Sequence, residues 1–134
     1  MVEVLPLLDA TLAAAVTADV APAVVAHGPV RGLTLYANLT VAGGGTTAKA
    51  WVQTSLDGGL TWADIANFAF TTSSAKRAYN LTNVAVTSIA TPTDGTLTDN
   101  TAVHGLLGTH FRVKLTTTGT YTGATTFKIY GIAK

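Results

Sequence analysis

Cysteine is missing from the 134 residues, so no disulfide can staple the fold and no thiolate can serve as nucleophile or metal ligand. Cohesion must come from burial or from contacts between subunits. Charge is scarce as well. Charged residues make up 11% of the sequence, less than half of the roughly 25% found in ordinary soluble domains. Eight Lys and Arg against seven Asp and Glu leave a net charge of +1. That balance argues against sequence-independent binding to nucleic acid, which needs a clear positive excess to displace counterions. No polybasic run is present for an anionic membrane, the pair Lys76-Arg77 being the nearest thing to one. Long apolar runs are absent too. The apolar segment Leu5 to Ala26 is broken by Pro6, Asp9, Asp19 and Pro22, short of the ~18 residues that a membrane span requires. A secretory leader starts with basic residues, whereas the only early charge here is Glu3, so this segment is expected to belong to the mature protein.

What is present points to a folded domain. Hydrophobic residues make up 48%, which excludes the apolar-poor composition of disordered chains. The length suits one domain over 1–134 with a real core. The polar remainder is mostly Thr, Ser, Asn and Gly. A surface of small uncharged residues costs little to desolvate and suits broad contact with neighbouring chains. The alternative is an ordinary secreted monomer.

Period-two alternation recurs along the chain. Leu33, Leu35, Ala37, Leu39 and Val41 fall on one face of a strand, with Thr34, Tyr36, Asn38 and Thr40 on the other. Gly43-Gly44-Gly45 ends it. A second strand spans about Thr47 to Leu56, and a turn at Asp57-Gly58-Gly59 leads to a third from about Thr61 to Phe70. These three read as consecutive antiparallel strands. Further strands are expected at Arg77 to Leu81, Val84 to Ile89, Phe111 to Thr116 and Phe127 to Tyr130. Thr91 to Gly108 reads as a long loop, of a length that is usually functional or partly mobile. Ala10 to Ala18 is the best helix candidate, with Asp9 as N-cap, but Val16, Thr17 and Val20 weaken it and Pro22 stops it, so extended structure is preferred. Val2 to Leu5 then forms a strand or arm that Pro6 confines to an edge, and Val24 to Ala26 forms another strand. Many short strands with regular turn signals predict an all-β, two-sheet antiparallel sandwich, jelly-roll-like or immunoglobulin-like, with an extended N-terminal arm within 1–27. The missing cysteines favour the jelly-roll side.

The sharpest local motif is Ser55-Leu56-Asp57-Gly58-Gly59-Leu60-Thr61-Trp62. Its Asp can accept N–H bonds inside a tight turn, its Gly permits positive φ, and its Trp can pack back under the hairpin. Ser55, Asp57, Gly59, Thr61 and Trp62 resemble the Asp-box pattern of sialidases and related β-propellers. In those families the box is a structural element remote from the catalytic centre. The resemblance implies a folding staple, with carbohydrate contact as the lesser alternative, and carries no sialidase activity.

Other constellations are weak. His27, His104 and His110 lack the close spacing of a zinc pair, although His104 and His110 could meet across a loop. Asp94, Asp99 and Asn100 offer oxygens but no EF-hand register. No nucleophile elbow, P-loop or dinucleotide fingerprint occurs. The expectation is therefore a protein that is no enzyme and has no catalytic, cofactor or metal site. Tyr36 and Trp51 fall on the polar sides of their strands. If those strands pair, the two rings would share an outer face able to hold a sugar; otherwise that face is covered by more protein.

Small size, abundant Thr, Ala and Gly, absent Cys and a single Met give the whole chain a texture similar to small β-rich virion proteins of tailed bacteriophages. The stretch Trp51 to Phe70 and the stretch Phe111-Arg112-Val113-Lys114-Leu115 look like such head or tail accessory proteins. The resemblance implies a homo-oligomeric structural protein of the virion, with a closed trimer as one form, assembled in the host cytoplasm. Its partners would be the major capsid protein or other virion proteins, with no nucleic acid and no membrane. A capsid decoration or cement role leads. A neck or tail component, a carbohydrate-binding module and, last, a small glycosidase are the rivals. Expected partner contacts are Val2, Val4, Leu5 and Leu7 on the arm and Thr98, Asp99, His104 and Leu106 on the loop, the arm adding a strand to a neighbour's sheet.

Overall fold

The computed structural model describes residues 2–84 and 91–134. Among the described residues there is no helix, and the chain is built from antiparallel strands. In chain order these are β1 (Glu3–Thr11), β2 (Asp19–Val20), β3 (Val24–Val25), β4 (Gly32–Thr40), β5 (Gly43–Gly44), β6 (Thr47–Ser55), β7 (Ala63–Phe70), β8 (Ala75–Thr82), β9 (His110–Thr118), β10 (Tyr121–Thr122) and β11 (Thr126–Ala133). A first sheet runs β1-β11-β4-β8. A second runs β2-β9-β6-β7, with β3 also on β9, and β5 pairs with β10 in a small ribbon.

The alternation read from the sequence decides which side of each strand is buried. In β4 the residues Leu33, Leu35, Ala37 and Leu39 are buried, and Phe127 and Ile129 of β11 lie beside them. Ala48, Ala50 and Val52 of β6 and Phe111, Val113 and Leu115 of β9 belong to the same core from the second sheet. Phe70 and Phe127 meet edge to face across the core, with ring centroids 5.5 Å apart.

Three expectations need correction. The strands at Leu33, Thr47 and Thr61 are not three neighbours: β6 and β7 pair, but β4 lies in the other sheet between β11 and β8. The glycines at 43–45 carry the chain from one sheet to the other instead of closing a hairpin. The N-terminal segment is also no free arm. It is an edge strand of its own sheet, paired with β11 from Glu3 to Thr11 with a bulge between Pro6 and Leu8. Leu5 and Leu7 are 1% and 2% exposed, so they are core residues and not partner contacts. Finally, the long loop is not loose, as described below. The strand expected over Val84 to Ile89 lies outside the described residues from position 85 onward, and Val84 itself is not in a strand. The extended reading of Ala10 to Ala18 holds, with β1 running to Thr11 and irregular backbone beyond.

Candidate functional site

The second sheet has its outer face closed by residues 93–103. The fastening group is Asp64 on β7, which is 2% exposed. Its Oδ2 accepts the Thr93 hydroxyl at 2.7 Å and the N–H groups of Gly95, Thr96 and Leu97 at 2.8, 3.0 and 3.1 Å. Three successive amides form a nest for an anion, and here the chain's own carboxylate fills it. Gln53 donates from Nε2 to Asp64 at 2.8 Å and to Asp94 at 2.6 Å. Lys114 closes on Asp94 at 2.5 Å, and this contact first, then Gln53, holds the Asp94 carboxyl below its ordinary range against the effect of burial. Further along, the indole N–H of Trp51 donates to the Leu97 carbonyl at 3.0 Å, and Lys49 pairs with Asp99 at 2.8 Å. The strap also seals the edge of β7 through Asp64 N–H to Thr93, Asn67 N–H to Thr101 and Val103 N–H to Ile65.

Of the expected loop contacts, Thr98, Asp99 and His104 are exposed and Leu106 is half-buried. Asp99 is tied to Lys49, the Thr98 carbonyl accepts the Thr101 hydroxyl, and Leu106 is half-buried against the core. His104 is exposed and accepts the Thr82 N–H through Nδ1, while His110 bonds Thr109. The two histidines therefore have separate partners. Asp94, Asp99 and Asn100 also go separate ways, and among the described residues no three His, Asp or Glu side chains gather as a metal cage.

The Asp-box-like hairpin joins β6 to β7 and works as expected. Asp57 Oδ1 accepts the Ser55 hydroxyl at 2.8 Å and the N–H groups of Leu60 and Thr61 at 3.1 and 2.8 Å, while Oδ2 accepts the Thr61 hydroxyl at 2.5 Å. The Thr61 hydroxyl, then its N–H, then the Ser55 hydroxyl hold the carboxyl down at about 2. Gly58 and Gly59 have φ of 77° and 97°, which L side chains rarely adopt. Trp62 is covered by Arg112 of β9, whose guanidinium sits 4.3 Å from the ring centroid. The carboxylate cage is thus filled from within the hairpin.

The first sheet presents a different outer face. Register places Val4, Ile132, Thr34 and Asn80 in one row across β1, β11, β4 and β8. Pro6, Tyr130, Tyr36 and Ala78 form the next, and Asp9, Lys128, Asn38 and Lys76 a third. Val4 is 62% exposed, Tyr36 and Ile132 are each 38% exposed, and no described segment crosses this face. Val2, also exposed, extends it. Tyr36 therefore lies beside Tyr130, not Trp51, which is buried on the far sheet beneath the strap. The sequence placed Tyr36, Val2 and Val4 at the surface but missed Tyr130, Ile132 and Pro6 as their neighbours. Tyr130 falls on the polar side of its alternating strand, which was the available signal; the β4–β11 pairing that joins it to Tyr36 spans most of the chain. Compared with protein-family models, curated proteins and solved structures, the chain gives no match.

Proposed function

We propose that this chain is a structural protein of a tailed-bacteriophage virion, a decoration protein that docks on the major capsid lattice and performs no catalysis. The observation that carries the reading is the bare outer face of the first sheet, with Val4, Pro6, Tyr36, Tyr130 and Ile132 side by side. Such a face is apolar at its centre, rimmed by Asn, Thr and Lys, and cheap to strip of water. Five of the seven carboxylates are engaged elsewhere: Glu3 with His27, Asp57 in its hairpin, Asp64 and Asp94 under the strap, Asp99 with Lys49; Asp9 stands at the rim of this face in register with Lys128, and Asp19 on β2 of the other sheet. Strand order gives a second support. With β2 and β3 taken as one interrupted strand and the small β5–β10 ribbon left out of the numbering, the sheets follow 1-8-3-6 and 2-7-4-5. We read this as a jelly roll, an architecture used by viral capsid domains and also by lectins, so it supports the reading by analogy only.

Docking then works by burial of the tyrosine pair and its aliphatic neighbours against capsid subunits. Tyr36→Lys and Ile132→Lys leave the core untouched and place charge in the contact. The test is the protein composition of purified virions. Copies commensurate with capsid subunits, lost in both variants, support the decoration role; absence from virions overturns it, and a copy number matching a neck ring moves the chain to the neck or tail. Glycan-array binding abolished by Tyr36→Ala, in a protein absent from virions, supports the carbohydrate-binding module instead.

A further inference from the structure

A sheet edge is a row of unpaired N–H and C=O groups, and proteins protect such rows. Three edges of this sandwich are protected. The strap bonds along β7. On β1, Pro6 lacks an N–H and the bulge at Pro6/Leu8 breaks the row. The edge of the second sheet opposite β7 is made by β2 and β3 on β9, two residues each and too short to template a partner strand. The fourth edge is β8, eight residues long.

The backbone direction of β8 follows from its neighbours. Gly32 exchanges both of its hydrogen bonds with Lys134. Even-numbered residues of β4 therefore face β11, and odd-numbered ones face β8. In the β4–β8 register Leu33, Leu35 and Ala37 lie opposite Leu81, Tyr79 and Arg77. These bond across the pair, which turns the N–H and C=O groups of Lys76, Ala78, Asn80 and Thr82 outward. Thr82 agrees with this: its carbonyl accepts Gly105 N–H and its own N–H meets His104. For Lys76, Ala78 and Asn80 no described residue supplies a partner.

We infer that β8 pairs with β8 of a second copy of this chain, antiparallel about a two-fold axis at Ala78, joining two first sheets into one continuous sheet. Charge and the engaged backbone groups of Thr82 together select this register. Centred on Ala78, each Lys76 faces Asn80 of the other copy, and Ala78 faces itself without steric demand. Each of these residues donates one backbone N–H and accepts one. On the inner face Arg77 comes opposite Tyr79 of the second copy, a cation beside an aromatic ring. Moving the axis to Lys76 would set the two ammonium groups against each other, which cross-strand pairs disfavour. A closed two-fold contact also leaves no free β8 edge for further growth.

This inference goes beyond the virion reading and does not depend on it. Sedimentation equilibrium over a dilution series is expected to show a monomer–dimer equilibrium. Ala78→Pro removes an N–H that β4 does not use, so the fold persists and the dimer is lost. Ala78→Lys keeps the N–H, sets like charges across the axis and weakens the dimer several-fold, whereas Val4→Lys on the opposite edge leaves it unchanged. Amide exchange at residues 76, 78 and 80 slows as concentration rises. A monomer at every concentration overturns the inference, as does a dimer indifferent to Ala78→Pro, or protection of those amides that is complete in the most dilute sample. A monomer that still assembles on virions overturns this inference alone; a dimer absent from virions overturns only the virion reading.

Discussion

The outer faces of the two sheets start from the same alternating strands and end differently. On the second sheet, Lys49, Trp51, Gln53, Asp64, Asn67, Arg112 and Lys114 are drawn into one network under residues 93–103. On the first, Tyr36, Ile132 and Val4 are exposed with Tyr130 half-buried beside them, and no described segment crosses them. Ordering a loop costs about 1–2 kcal/mol per residue in backbone entropy, and the bonds to Asp64, Asn67, Trp51 and Lys49 offset that cost for the strap. The difference shows where a charge-poor chain places its few charges: as internal struts on one side, and on the other only in the rim row of Asp9, Lys128 and Lys76, which leaves the tyrosine centre uncharged and easily dried.

The largest expected effect removes the strut on which the strap depends. Asp64→Ala leaves the amides of Gly95, Thr96 and Leu97 and one Gln53 proton without their acceptor. A loss of about 4 kcal/mol is expected in urea unfolding, within the range for breaking a buried polar network. Exchange protection at residues 95–97 falls with it. Tyr36→Ser on the bare face is expected to stay within about 0.5 kcal/mol of the parent. Equal losses for the two would erase the contrast.

Gly108 tests how tightly the end of the loop sits against the second sheet. A Cβ there would stand 1.9 Å from the Ser55 carbonyl oxygen, and the Gly108 N–H already donates to Thr54 at 2.9 Å. Backbone must move to admit a methyl group, so Gly108→Ala is expected to lower stability by about 2–3 kcal/mol, read from the same urea curves. Trp51→Phe is milder. It keeps most of the buried ring and deletes the N–H that bonds Leu97, for an expected loss of about 1 kcal/mol.

Much of this contrast was legible in the sequence, and the rest was hidden for a physical reason. Alternation along Leu33 to Val41 and along Phe127 to Tyr130 identified the buried and exposed sides correctly, because period two is a local property. The Asp57 hairpin was legible for the same reason: all its hydrogen bonds run within a few residues. Pairing is not local. Tyr130 meets Tyr36, and Leu33 to Leu39 leave Thr47 to Ser55 for the opposite sheet, through contacts that no window of sequence contains. Asp64 was overlooked although it left a trace, a single carboxylate inside the run Ala63-Asp64-Ile65-Ala66, where burial on both faces demands a partner. The strap that supplies the partner begins at Thr93. Leu5 and Leu7 were misjudged because an apolar N-terminal strand reads alike whether it docks on a neighbour or on β11.

The smallest effect separates the faces by pH. Asp57 is held at about 2 in the fold by Thr61 and Ser55, and Asp94 is lowered chiefly by Lys114, whereas an unfolded Asp titrates near ~3.9. Folded values below unfolded ones mean that the stabilisation is fully present above the unfolded value and lost as pH falls through the folded one. The Asp57 cage is open to solvent, so its share is small. As pH is lowered from about 5 to about 2, the amide signals of Gly59, Leu60 and Thr61 are expected to move together in NMR spectra, with those near Asp94 also responding. With Asp9, the carboxylate in the neighbouring row of their own face, replaced by Asn, Tyr36 and Tyr130 resonances hold still, since neither ring bonds Asp57 or Asp94. Asp57→Asn abolishes the hairpin transition and leaves the response near Asp94. Should the tyrosine signals titrate in step with Thr61, the two faces would be coupled through the core, and the uncovered one would not be the passive surface that its lack of ionic ties implies.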